Sequence, residues 1–185
     1  MRHHAAIIAA AALFAVAAGA GRVEAAPTSN ITVSVTIRSL SVLLSGNAVG
    51  FGVVNTGGTV QSSEANDITV TNNGNGEEDF ALRLANPAGW NNGSIPGPEV
   101  YALSALFVGS ADTPTVANFA VNDVLTTTDQ TATAAIFGDA GVAGADGADV
   151  VVNGSADLWF QFKAPTSTVV TTQQDITVTV SAVAS

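Results

Sequence analysis

The sequence predicts an all-β protein, a two-sheet antiparallel β-sandwich of the Ig-like or jelly-roll kind. Three observations lead to this fold class. Apolar and polar residues alternate along several short segments, clusters of Gly, Asn and Pro separate those segments, and no stretch of the mature chain has the apolar spacing of an amphipathic helix. No linker is long enough to divide the sandwich, so we expect one domain over residues 26–185.

The first 25 residues are predicted to be a cleaved export signal. A basic start, Met1–His4, precedes 14 consecutive apolar residues, Ala5–Ala18, and residues 23–25 fit the small-x-small pattern of a cleavage site. A membrane span needs roughly 20 apolar residues, so this run is short for a retained anchor. We expect cleavage after Ala25, with Ala20 as the second choice, and a secreted protein in the extracellular space or at the cell surface.

The mature chain is acidic and lacks histidine and cysteine. Three cations, Arg38, Arg83 and Lys163, stand against fourteen carboxylates, a net charge of −11. This balance argues against nucleic acid and anionic membranes as partners, because both attract clustered Lys and Arg. The missing histidines and cysteines exclude Ser-His and Cys-His nucleophile systems and imidazole or thiolate zinc sites. We therefore do not expect an enzyme.

The N-terminal segment 26–38 contains the clearest alternation. Ile31, Val33, Val35 and Ile37 fall on one side of an extended chain, with Thr and Ser between them. It is predicted to be either the first strand of its own sandwich or a donor strand that completes the sandwich of a neighbouring subunit. A terminal strand is the easiest to exchange, because only one end is tethered and its apolar face must be buried.

Further alternating or apolar segments predict eight to ten strands in total. A mostly apolar run, Val100–Val108, is expected to be a central strand covered on both faces. A short helical turn is expected within 113–121. The remaining strands or apolar pieces are predicted at 42–44, 51–54, 67–71, 80–84, 131–137, 157–163 and 175–184.

A turn cluster at Asn72–Gly76 follows one of these strands. Asn and Gly tolerate positive φ, so we expect the strands 67–71 and 80–84 to pair as a hairpin around it. Three carboxylates follow the turn at residues 77–79. They are expected to be solvated.

Two tryptophans are candidates for an interface or a ligand site. Trp159 alternates with Leu158, Phe160 and Phe162, so it lies on the opposite face of its strand, and we expect one of the two faces to be exposed or to meet a partner. Trp90 lies in a Pro- and Gly-rich loop, a placement typical of a plug over one end of a core. Exposed tryptophans would instead favour polysaccharide binding.

The acidic loop containing Asp139, Asp146 and Asp149 is a candidate for a weak calcium site. Calcium binds oxygen ligands from flexible, carboxylate-bearing loops. The spacing matches neither the EF-hand nor the repeated Gly-rich calcium motif, so a solvated turn is the alternative. No other cofactor is expected.

Two stretches of the chain resemble secreted bacterial surface proteins with Ig-like sandwich domains. They are residues 50–90, with Val-Thr-Asn-Asn-Gly at 70–74 and Asn-Pro-Ala-Gly-Trp at 86–90, and residues 158–180. The Val-Thr-Asn-x-Gly segment is also similar to that of the TasA/camelysin-type biofilm fibre proteins. This distant resemblance implies subunits that polymerise by donating an N-terminal strand. It carries over no catalytic or ligand residue.

The combined expectation is a structural subunit of an extracellular filament, pilus-like fibre or biofilm matrix. Such subunits would join head to tail as a homopolymer by N-terminal donor-strand complementation. The alternative is a monomeric secreted adhesion or carbohydrate-binding module.

Overall fold

The computed structural model describes residues 31–138 and 146–185. The predicted export signal, the first residues of the predicted donor strand and Asp139 lie outside this part of the chain. A boundary between Thr36 and Ile37 separates two units, and only residues 31–36 of the first are described.

The second unit, Ile37–Ser185, is a β-sandwich of two sheets, which confirms the predicted fold class. The larger sheet has the order β1-β3-β8-β6-β5, with β2 also paired to β8, and the smaller sheet has the order β7-β4-β9. All pairs are antiparallel except β5 with β6. The strands are β1 Val42–Leu44, β2 Thr59–Gln61, β3 Ile68–Asn72, β4 Glu78–Ala85, β5 Asn91–Asn92, β6 Val100–Val108, β7 Gln130–Thr131, β8 Ser155–Lys163 and β9 Thr177–Ala184.

The alternating apolar residues of the strands form the core between the sheets, as period-2 patterning requires. Phe80 and Leu82 of β4 share one buried cluster with Leu158, Phe160 and Phe162 of β8. The outer face of β8 is also buried: Trp159 packs in a second cluster with Leu106, Val108 and Phe119. The prediction that residues 100–108 form a central strand covered on both faces is therefore confirmed.

The predicted hairpin is wrong. Strands β3 and β4 belong to different sheets, because β3 pairs with β1 and β8 while β4 pairs with β7 and β9. The turn cluster between them crosses from one sheet to the other. Buried Asn72 holds this crossing: its amide nitrogen donates to the carbonyls of Gly76 (2.8 Å) and Val150 (2.7 Å), and its oxygen accepts from the Gly74 amide (2.8 Å).

Two shorter predictions also need correction. In place of the strand expected at 131–137, the structure has the two-residue strand β7, Gln130–Thr131, which pairs with β4. The strand is short because a tight turn between Thr133 and Ile136 follows it. The piece 51–54 is not a strand. The helical turn expected within 113–121 is present as a 3-10 turn at Val116–Asn118, followed by another at Val121–Asp123.

We predict that Asn72→Ala lowers the free energy of unfolding by about 2–3 kcal/mol, because it removes three hydrogen bonds made by a buried side chain. Asn73→Ala is the matched control: this neighbouring asparagine is exposed, and a surface substitution changes stability by roughly 0.5 kcal/mol or less. Urea unfolding of both variants measures the difference. Equal losses would contradict a structural role for the Asn72 side chain.

A second prediction concerns Asp123, a buried residue whose carboxylate accepts hydrogen bonds from the amides of Phe137 (2.8 Å) and Ala120 (2.6 Å). Burial raises the pKa of Asp123 above its ordinary value of 3.8, and the two backbone hydrogen bonds partly oppose the rise. The folded chain then binds a proton that the unfolded chain has lost. The contribution of Asp123 to stability is therefore fully present below the unfolded pKa and is lost as the pH rises through the folded pKa.

The stability difference between wild type and Asp123→Asn should accordingly shift in favour of wild type as the pH falls from about 6 to about 4. Unfolding free energies measured for both proteins across this range test the sign. A difference that is independent of pH would refute it.

Candidate assembly site

The segment that begins the described chain carries exposed apolar side chains at every second position from 31 to 37. Residues 31–40 form no strand and are exposed. The relative exposures of Ile31, Val33, Val35 and Ile37 are 88%, 81%, 80% and 78%. Burying one such side chain stabilises a protein by roughly 1.5–3 kcal/mol, so this face leaves substantial hydrophobic stabilisation unused.

The start of the sandwich unit is held by a set of hydrogen bonds. The Asn75 side chain donates to the carbonyl of Ile37 (2.8 Å) and accepts from the Ser39 amide (2.7 Å), and the Asn75 amide donates to the Ser39 carbonyl (3.1 Å). The Ser41 amide donates to Oε1 of Glu78 (2.8 Å). These bonds fix the point at which the chain enters the sandwich.

Glu78 corrects the expectation that residues 77–79 are solvated, because its side chain is fully buried. It lies two residues before Phe80 and four before Leu82, so it shares their inward face of β4. The apolar alternation that predicted this strand also places position 78 on its inward face. Sequence analysis missed it because a carboxylate is rarely buried.

Strand β9 has an unpaired edge in the part of the chain that the structure describes. On β4, the backbone groups of Phe80 and Leu84 bond to segments on the side away from β9. Their partners on β9, Ala182 and Val178, therefore form the non-hydrogen-bonded pairs of the ladder, as does Val180 between them. The N–H and C=O groups of these three β9 residues point away from β4, toward the unpaired edge.

A cleft of about 380 Å³ lies along this edge. Its floor is the inner face of the larger sheet, one wall is the N-terminal half of β9, and the other wall is the segment that follows β1. The side chains that line it are mostly aliphatic or aromatic. The apolar ones are Leu44, Ala48, Val49, Phe51, Ile68, Leu103, Leu158, Phe160, Ile176, Val178 and Val180.

Neither candidate tryptophan has an exposed side chain. Trp159 is 1% exposed, under the loop that carries Phe119. Trp90 is half-buried and stacks on Phe162, with ring centroids 6.0 Å apart. Its indole N–H donates to Oγ1 of Thr168 (2.9 Å). Trp90 therefore closes one end of the core, as the placement of its loop indicates.

The acidic loop is only partly described. The Asp146 carboxylate accepts from the amide of Ala148 (3.2 Å), while the Asp149 amide donates to the Asp79 carboxylate (2.8 Å). Within residues 31–138 and 146–185, no three His, Cys, Asp or Glu side chains come together in a group that could hold a metal ion.

Comparison of the chain with protein-family models, curated proteins and solved structures gave no match. The resemblance to biofilm fibre proteins therefore stays a prediction. Among the described residues, no helix is long and apolar enough to cross a membrane.

We predict that Trp90→Ala lowers the free energy of unfolding by about 3 kcal/mol, because it removes a large side chain stacked on the core. Trp90→Phe is the matched control: it keeps an aromatic ring and loses only the hydrogen bond to Thr168, at a cost of about 1 kcal/mol. Thermal and urea unfolding measure both. Unchanged stability of Trp90→Ala, together with lost retention on polysaccharide, would point instead to a sugar-binding ring.

Proposed function

We propose that the mature chain is a secreted structural subunit of an extracellular filament or surface matrix. Each subunit donates residues 26–38 to the next, so that copies join head to tail. The observation that carries this proposal is the exposed apolar face formed by Ile31, Val33, Val35 and Ile37. An alternating apolar segment without a strand partner gains stability when it adds to a neighbouring sheet.

Head-to-tail donation produces a polymer for a geometric reason. The donor and its acceptor are different surfaces, so each added copy presents a fresh donor and a fresh acceptor. Such an interface is heterologous and extends into a filament unless its rotation closes a ring. The predicted export signal places this assembly outside the cell.

The distribution of charge supports the same proposal. Residues 26–63 contain no carboxylate, and Arg38 is the one charged residue among them, whereas all fourteen carboxylates of the mature chain lie from Glu64 onward. The donor segment is thus uncharged apart from one cation, on a body that is strongly acidic. The acidic bodies repel one another and disfavour non-specific aggregation, and the donor itself adds no negative charge to a contact.

A pair of double variants tests the proposal. Val33→Asp/Val35→Asp places two carboxylates on the apolar face, whereas Ser34→Asp/Thr36→Asp adds the same charge to the polar face. Burying an unpaired carboxylate costs several kcal/mol, so the first variant should remain monomeric while the second still assembles. Electron microscopy and sedimentation of the purified mature chain measure filament formation.

Two results would count against strand donation. The first is assembly of both variants to the same extent, which would make the apolar face irrelevant. The second is a wild-type chain that stays monodisperse across concentration and salt, which would favour a monomeric adhesion module.

A further inference from the structure

We infer that the acceptor for the donated strand is the β9 cleft of a second copy of this chain, where the donor becomes the fourth strand of the smaller sheet. This inference rests on the proposed function and deepens it by naming the surface that receives the donor. The partner is a second copy, and the bonds that join the two are backbone hydrogen bonds to Val178, Val180 and Ala182.

The hydrogen-bonding pattern of the edge fits an incoming strand. Val178, Val180 and Ala182 direct their backbone N–H and C=O groups outward from the sheet at every second residue. Their side chains lie on the same face as Phe80 and Leu84, opposite them across the ladder, and so point inward. A strand added to this edge pairs its own inward-facing residues with those three.

The chemistry of the cleft matches the donor. Ile31 to Ile37 spans seven residues with four apolar side chains on one face, and Ile176 to Ala182 spans seven residues with the same spacing. At about 3.3 Å per residue, both segments are roughly 20 Å long. The apolar donor face would meet the floor formed by Ile68, Leu158 and Phe160, and its Thr and Ser residues would face solvent.

The path of the chain from Arg38 to Leu44 favours insertion of residues 31–37 into the cleft of a second copy over insertion into the cleft of their own chain. The Arg38 guanidinium bonds to Ser185, just beyond the end of β9, and the chain then runs to Leu44, which lines the cleft. The chain therefore approaches the cleft from Ile37 onward. Residues before Ile37 would have to reverse direction to fill their own cleft, while the hydrogen bonds with Asn75 hold Ile37 and Ser39 in place.

Disulfide trapping tests the acceptor directly, because the chain has no native cysteine. Four double variants combine Val33→Cys or Val35→Cys with Val178→Cys or Val180→Cys. Neighbouring residues of paired strands have Cα atoms about 5.5 Å apart or less, within disulfide range. In the matched controls, Ser34→Cys replaces the donor cysteine and points to the opposite face.

Each variant is assembled under reducing conditions, oxidised and run on a non-reducing gel. We expect a ladder of dimers, trimers and higher species from at least one of the four variants, about tenfold above the Ser34→Cys controls because of the disulfide geometry. Mixing tagged and untagged chains shows whether the bond joins two copies. A bond that forms only within one chain would overturn the second-copy acceptor.

Hydrogen exchange on the wild-type chain provides a readout that needs no substitution. The amides of Val178, Val180 and Ala182 should exchange rapidly in monomers and slowly in filaments, whereas those of Thr179 and Ser181, bonded to β4, should be protected in both. Filaments that leave these three amides unprotected and give no ladder would refute the β9 acceptor while leaving strand donation intact. A wild-type chain that forms no filaments would overturn both proposals.

Discussion

Strand β8 pairs with three strands of the larger sheet and buries both of its faces, so the sandwich is built around it. Its inner face packs against β4 through Leu158, Phe160 and Phe162, and its outer face is covered by the loop that carries Phe119. The chain contains no cysteine and therefore no disulfide. The fold depends on the burial of apolar faces such as these two.

The two sheets that enclose the core differ in their number of strands. In the described part of the chain, a six-stranded sheet faces a three-stranded one, and the cleft lies where the smaller sheet ends at β9. A sheet edge that carries unpaired backbone groups beside an apolar cleft is a site that proteins normally protect. Among the described residues, the apolar side chains at positions 31, 33, 35 and 37 are exposed and belong to no strand.

The acidic residues are unevenly distributed along the sequence. Residues 26–63, which include β1, contain no carboxylate, while fourteen carboxylates lie from Glu64 onward. The Asn75 side chain, which donates to the Ile37 carbonyl, and the buried Glu78 carboxylate, which accepts from the Ser41 amide, hold the start of the sandwich in one place. These bonds lie within the unit Ile37–Ser185 and fix its first residues to the sandwich.

The sequence by itself determined the class of fold and the longer strands β3, β4, β6, β8 and β9, because apolar patterning along a strand is a local property. It also determined that residues 158, 160 and 162 share one face of their strand. Only the tertiary structure decided which strands pair. The turn at Asn72–Gly76 joins two sheets rather than two hairpin strands, and the unpaired edge at β9 exists because of the strand order. Such pairings join residues far apart in the chain, so no local pattern contains them.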